Sequence, residues 1–171
     1  MLFRSLVATE ILDEWLLPVA SPAFLAAHPQ LRSAADLRPE LLLHDSSAWD
    51  GAGPCEEWAH WLRQAGVELP GLEQGHHFNL SLLAQGAALA GQGIAMGRAA
   101  LVLDELAAGR LVVPFGPPVR SRASYHFVSP MQRTARTENV LAWLTAQAAR
   151  FRVQRDALLR SEEHTSELQS H

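Results

Sequence analysis

The sequence predicts an α/β fold on a mainly parallel sheet. Two observations carry this. Short apolar runs of strand length alternate along the chain with stretches whose apolar residues recur at helical spacing. The run Ile94-Ala95-Met96, too short for a helix and apolar throughout, reads as a buried parallel strand behind a small-residue helix and a glycine-rich break.

In chain order, residues 15–20 read as a strand, stopped by Ser21-Pro22, where proline removes a donor and restrains its predecessor. Pro22 suits the first turn of a short helix over residues 23–27 with Ser21 as N-cap, and Ser33 caps a second helical piece through Leu37. Leu41-Leu42-Leu43 is a strand that empties into a polar loop, residues 44–53. Residues 55–65 form a helix with Trp58, Trp61, Leu62 and Ala65 on one face, and Gly66 ends it. Residues 67–75 are connector, and a short strand ends at Phe78.

The next helix runs from about Ser81 to Ala90, with Leu83, Ala87 and Ala90 in register, and Gly91 sits where a C-cap needs positive φ. A helix opening with Asn79 and Ser81 after a strand is suited to hold an anion on its free N–H groups. Residues 99–108 are helical with Leu101, Val102 and Leu106 apolar and Gly109 as stop, and residues 111–113 are a strand cut by Pro114. Residues 123–128 alternate like a strand with one exposed side. Thr137 or Glu138 opens a last helix with Val140, Leu144, Ala148 and Phe151 on one face.

The 171 residues, 48% of them hydrophobic, suffice for one domain with a proper core. Net charge is −4 and all 14 basic residues are Arg, without any basic run, so the chain carries no electrostatic footprint for DNA. A lone Cys55 excludes an internal disulfide, fits a reducing compartment and reads as a small buried hydrophobe. No signal peptide or membrane span is read at the start, where Glu10, Asp13 and Glu14 arrive before any long apolar run. From Arg160 the style changes abruptly: residues 160–171 have no apolar period, and their three Glu carry most of the net charge. This stretch looks like the translation of a sequencing-library adapter and is expected to be a disordered tail outside the fold.

Catalytic chemistry finds no footing. Gly91-Gln92-Gly93 follows a helix and opens a strand, the reverse of a dinucleotide-binding turn. There is no nucleophile turn of the G-x-S-x-G kind, so catalytic residues are none and the chain is not read as an enzyme. Adjacent His76 and His77 point to opposite faces of a strand, and Glu56 with His60 reads as a surface pair. No ligand triplet has the spacing zinc needs, so metal and cofactor are both set at none.

The pieces Asp13-Glu14-Trp15-Leu16-Leu17-Pro18-Val19-Ala20-Ser21-Pro22, Leu41-Leu42-Leu43-His44, Trp58-Ala59-His60-Trp61-Leu62, Ala87-Ala88-Leu89-Ala90-Gly91-Gln92-Gly93-Ile94-Ala95 and Ser124-Tyr125-His126-Phe127-Val128-Ser129-Pro130 form an ordered series over roughly residues 6–151. This series resembles the effector-binding domain of LysR-type bacterial transcription regulators, nearest the glycine-cleavage-activator subgroup. The resemblance implies a type II periplasmic-binding-protein-like fold, with the second subdomain complete and the first partial. Residues 1–20 would hold part of the first subdomain and the outgoing crossing strand, and residues 21–123 the second subdomain. Residues 124–159 would hold the return crossing strand and the last helix.

The resemblance also implies a cytoplasmic regulator fragment, truncated at its N-terminus, that binds a small, anionic metabolite between subdomains. Its full-length form would be a homo-oligomer, reaching DNA only through an upstream helix-turn-helix and having no membrane partner. Carried over by position, the ligand-binding candidates are Ser46, Ser47, Trp49, Phe78, Asn79, Ser81 and Tyr125. The alternative is a solute-binding protein of a transport system with the same fold.

Overall fold

The computed structural model describes residues 5–168, with side chains described through Arg160. Five strands form one sheet in the order β3-β2-β4-β1-β5. The strands are β1 Leu6–Val19, β2 Leu42–Asp45, β3 His76–Phe78, β4 Ile94–Arg98 and β5 Val119–Pro130. β2 pairs in parallel with both β3 and β4, whereas β1 pairs antiparallel with β4 and β5. The sheet is thus mixed rather than mainly parallel, because the two longest strands form an antiparallel ribbon. Residues 111–113 do not make a strand of their own; Val112 forms an isolated bridge to Ala20.

The helices are α1 Pro22–Ala27, α2 Glu56–Ala65, α3 Ser81–Leu89, α4 Ala99–Ala107 and α5 Ala135–Leu168. Ser21 caps α1 as its position predicts, its Oγ accepting from Phe24 N at 3.2 Å. Ser33 and Asp36 close a capping box around a single 3-10 turn, Ala34–Asp36. Gly66, Gly91 and Gly109 take φ of 67°, 75° and 67°, so each expected helix stop occupies the left-handed region.

Two buried clusters lie on the two sides of the sheet. One gathers Leu16, Leu42, Ile94 and Met96 beneath Trp58 and Trp61 of α2, with Phe24 and Phe115. The other gathers Leu17, Val19, Leu43 and Ala95 beneath Ala84 and Ala88 of α3 and Val102 and Leu106 of α4. Consecutive residues thus face opposite ways in β1, β2 and β4, as strand geometry requires.

Several expected helix faces shift. In α3 the buried residues are Ser81, Ala84, Gln85, Ala87 and Ala88, and Leu83 is half exposed. The small residues press on the sheet, where only an Ala-lined face allows close approach. In α5 Val140 is exposed, and Leu141, Leu144, Ala148 and Phe151 turn inward. That helix also continues to Leu168, past the change of composition at Arg160, where a disordered tail was expected. Residues 169–171 of that expected tail lie outside the described residues. His60 does not form a surface pair with Glu56: its Nε2 is 2.9 Å from the Arg120 carbonyl, and Glu56 meets Arg63 and Arg122.

Candidate functional site

β4 ends in Arg98, and the buried strand before it delivers this one guanidinium to the rim of the sheet. Its Nε donates to Glu57 at 2.8 Å, and its Nη2 donates to Asp45 at 3.0 Å and to the Ala48 carbonyl at 2.9 Å. These partners come from α2, β2 and the loop after β2, so Arg98 ties three elements to a fourth. Its Nη1 carries no hydrogen bond among the described residues.

Beside Arg98, Tyr125 of β5 donates its hydroxyl to Glu14 of β1 at 2.7 Å. The other Glu14 oxygen accepts from the backbone N–H of Trp15 at 2.8 Å and of Ala100, in the first turn of α4, at 3.2 Å. A buried carboxylate on free helix N–H groups is well satisfied there. A cavity of about 230 Å³ opens between these groups, lined by Glu14, Ala48, Trp49, Arg98, Ser121, Ala123, Ser124 and Tyr125.

The electrostatics are unusual in one respect. Burial pushes the Glu57 carboxyl up to about 7, and the attraction and hydrogen bond of Arg98 recover only part of that cost. Its second oxygen is buried without a partner, and Asp45 and Glu14 add like charge. Burial also pushes the Tyr125 hydroxyl up, reinforced by its bond to Glu14, so it remains a donor at any physiological pH. The cavity therefore offers one guanidinium edge, one fixed phenol, two serines and an indole, a set suited to binding and without a nucleophile–base pair.

The candidates read from sequence fall into two groups. Trp49 and Tyr125 line the cavity together. Ser46, Ser47, Phe78, Asn79 and Ser81 are not in its lining. Ser46 bonds His77 Nδ1 at 3.0 Å and the Phe78 carbonyl through its N–H at 2.8 Å. Ser47 N–H donates to Asp45 at 2.9 Å. Phe78 packs on the α3 side of the sheet, and Asn79 is exposed. Ser81 is buried and its Oγ accepts from Gln85 at 2.9 Å, while the N-cap position of α3 falls on Leu80. Arg98, Glu14, Asp45 and Glu57 escape the sequence reading. The signal for two of them is a charge set against a buried apolar run, Glu14 before β1 turns inward and Arg98 at the end of β4.

Three comparisons bear on this arrangement. The profile of the LysR substrate binding domain matches residues 2–149. The chain belongs to the LysR substrate-binding domain family. Among curated relatives, the HTH-type transcriptional regulator DsdC of Escherichia coli K12 is 36% identical over 139 residues, covering 80% of this chain and 44% of the relative. The glycine cleavage system transcriptional activator of the same organism is 33% identical over 138 residues, covering 80% of this chain and 43% of the relative. The chain thus spans less than half the length of these relatives.

Among solved structures, the effector domain of the regulator AmpR of Pseudomonas aeruginosa superimposes with a TM-score of 0.68 at 28% identity, over 86% of this chain and 68% of that one. The fold is that of LysR effector-binding domains, the type II periplasmic-binding-protein-like fold. The relatives are transcription regulators rather than enzymes, and none of these comparisons favours a solute-binding transport protein. Among the described residues, no helix is long and apolar enough to cross a membrane.

Proposed function

We propose that this LysR substrate-binding domain senses a small anionic metabolite in the cavity lined by Arg98, Trp49 and Tyr125. The observation that carries the reading is the Arg98 guanidinium: three bonds fix it in place, and its Nη1 remains to meet an acid group. A cavity of about 230 Å³ suits a ligand of amino-acid size. Glu14 also lines the cavity and adds a carboxylate to it, which supports a small amino acid as the ligand class. In the full-length cytoplasmic regulator, effector binding between subdomains would shift a conformational equilibrium and change how a homo-oligomer presents its DNA-binding segments.

The test uses the full-length regulator, titrated with amino acids, short carboxylic acids and short amines by calorimetry. Wild type should bind an acid-bearing member of the panel, and Tyr125→Phe and Trp49→Ala should each weaken it by about tenfold. Unchanged affinity in both variants, or binding of amines alone, overturns the reading.

A further inference from the structure

A second constellation lies behind the loop that carries Trp49. His44 of β2 and His77 of β3 are register partners in a parallel pair, so both side chains leave the same face of the sheet. Their rings stack with centroids 4.6 Å apart and planes 13° from parallel. Cys55, just before α2, completes the group, and one donor atom from each of the three lies within 4.8 Å of the other two. Spacing along the chain hides this set, since its members come from two strands and a loop.

His44 is only 1% exposed, and neither ring nitrogen makes a well-formed hydrogen bond; its contact with the Leu72 carbonyl is weak, and that carbonyl also accepts from the Cys55 thiol at 3.9 Å. Burying an imidazole with so little hydrogen bonding costs free energy, which coordination through its lone pair offsets. Gly75 is pressed against that ring: a Cβ there would sit 2.6 Å from His44 Nε2. Burial first, and the neighbouring His77 second, push the His44 pKa down to about 4, against a smaller opposing effect of the Leu72 carbonyl. The ring is therefore neutral at physiological pH, with a lone pair to offer.

His77 Nε2 lies 3.0 Å from the Glu73 carbonyl and Nδ1 lies 3.0 Å from the Ser46 hydroxyl. A carbonyl only accepts, so Nε2 carries the proton and Nδ1 the lone pair, as in metal-bound imidazoles anchored by a carbonyl.

We infer that His44, Cys55 and His77 form a binding site for a thiophilic d10 cation, Cu⁺ in preference to Zn²⁺. Two imidazoles and a thiolate are a soft donor set that excludes Mg²⁺ and Ca²⁺. Burial and Glu73 push the Cys55 thiol up, so it is protonated until a cation displaces the proton to solvent. With Cu⁺ the thiolate leaves a neutral centre beside the buried His44, whereas Zn²⁺ leaves a net positive charge and requires a fourth ligand. Binding breaks the S–H bond, frees His77 Nδ1 from Ser46 and involves no redox change. The rings unstack as the donors close to about 3.3–3.8 Å, the separation set by ordinary metal–ligand bond lengths. The ion pins β3 and the start of α2 to β2, directly before Asp45 and the loop carrying Ala48 and Trp49.

The experiment titrates Cu⁺ anaerobically into the whole chain against a colorimetric Cu⁺ chelator, with Co²⁺ absorption reporting thiolate ligation in place of Zn²⁺. Wild type should take up one equivalent of Cu⁺ and show a thiolate-to-cobalt charge-transfer band. Cys55→Ser and His77→Gln should each weaken Cu⁺ binding by about tenfold or more. His76→Gln, on the opposite strand face, should leave it unchanged, and circular dichroism checks that each variant is folded. Absence of stoichiometric uptake by wild type overturns the proposal. So does unchanged affinity in Cys55→Ser, or equal loss in His76→Gln, which would place the ion on surface histidines.

Discussion

The strand β1 begins in one kind of environment and ends in another. From Leu6 to Ile11 its residues alternate between exposed and half buried, Leu12 and Asp13 stay half buried, and from Leu16 to Val19 every residue is buried. The inner part sits between two clusters, with Trp58 and Trp61 on one side and the small residues of α3 on the other. The outer part pairs with β5 in a two-stranded ribbon, where Leu6 and Val128 are exposed, as are Met131 just past β5 and Val140 and Trp143 of α5.

What holds the outer region is polar. Arg152 donates to the Ile11 carbonyl at 2.7 Å and to Asp13 at 3.1 Å, Arg155 meets the Asp13 carboxylate at 3.2 Å, and Arg133 spans Ser129 and Thr9. Apolar packing makes the inner region intolerant of holes. The outer region depends on directional bonds and tolerates side-chain truncation. Its uncovered apolar residues are also the surface most open to association.

The largest expected contrast lies between two tryptophans. Trp61 is fully buried and its indole N–H donates to the Pro117 carbonyl at 3.1 Å. Trp61→Ala should cost about 3–5 kcal/mol through the cavity and the orphaned carbonyl. Trp143 is 60% exposed, and Trp143→Ala should change stability by less than about 0.5 kcal/mol. Chemical denaturation of both variants measures the difference, and similar losses would mean that the outer face packs as tightly as the inner.

The next contrast is in pH dependence. Glu57, in the inner region, holds its proton up to about pH 7 when folded and only to about 4.5 when unfolded. The folded state binds more protons across that window, so stability is fully present below it and falls as pH rises through it, by on the order of 3 kcal/mol. Asp13, in the outer region, behaves oppositely. Burial raises its carboxyl, but hydrogen bonds from Trp15, Arg155 and Arg152 outweigh this and hold it below the usual carboxylate range. Its contribution is present above the unfolded value of 3.8 and is lost as pH falls. Glu57→Gln should flatten the melting-temperature profile between pH 4.5 and 7 and leave the acid limb in place. A profile unchanged by Glu57→Gln would show that Arg98 keeps this carboxylate ionised.

The same contrast explains what the sequence displays. Leu16-Leu17-Pro18-Val19 and Ile94-Ala95-Met96 are continuous apolar runs because both faces are covered, and a run of that kind is readable without coordinates. The helix stops at Gly66, Gly91 and Gly109 were equally readable, because each requires a backbone conformation that glycine reaches without strain. The antiparallel ribbon was not, since strand direction depends on which strands meet rather than on local pattern. The cavity was half legible. Trp49 and Tyr125 followed from resemblance, whereas the bonds from Arg98 to Asp45 and Glu57 span 53 and 41 residues, a separation no local motif encodes.

The smallest effect separates the two roles open to Ser81. Its Oγ accepts from the buried Gln85 side chain on the inner face of α3, so its hydrogen bond is internal to the helix. Ser81→Ala would leave the Gln85 amide donor buried without that partner and should cost about 1 kcal/mol of stability. If that is its whole role, effector affinity in the full-length regulator stays at the wild-type value. If Ser81 also meets the ligand, as its place at the start of α3 suggests by resemblance, affinity falls by about tenfold while the loss of stability stays the same. Tyr125→Phe provides the reference, since Tyr125 lines the cavity and bonds Glu14 across the ribbon. Paired titration and melting of the two variants places Ser81 with Tyr125 if both lose affinity. It places Ser81 with the helix core if only Tyr125→Phe does.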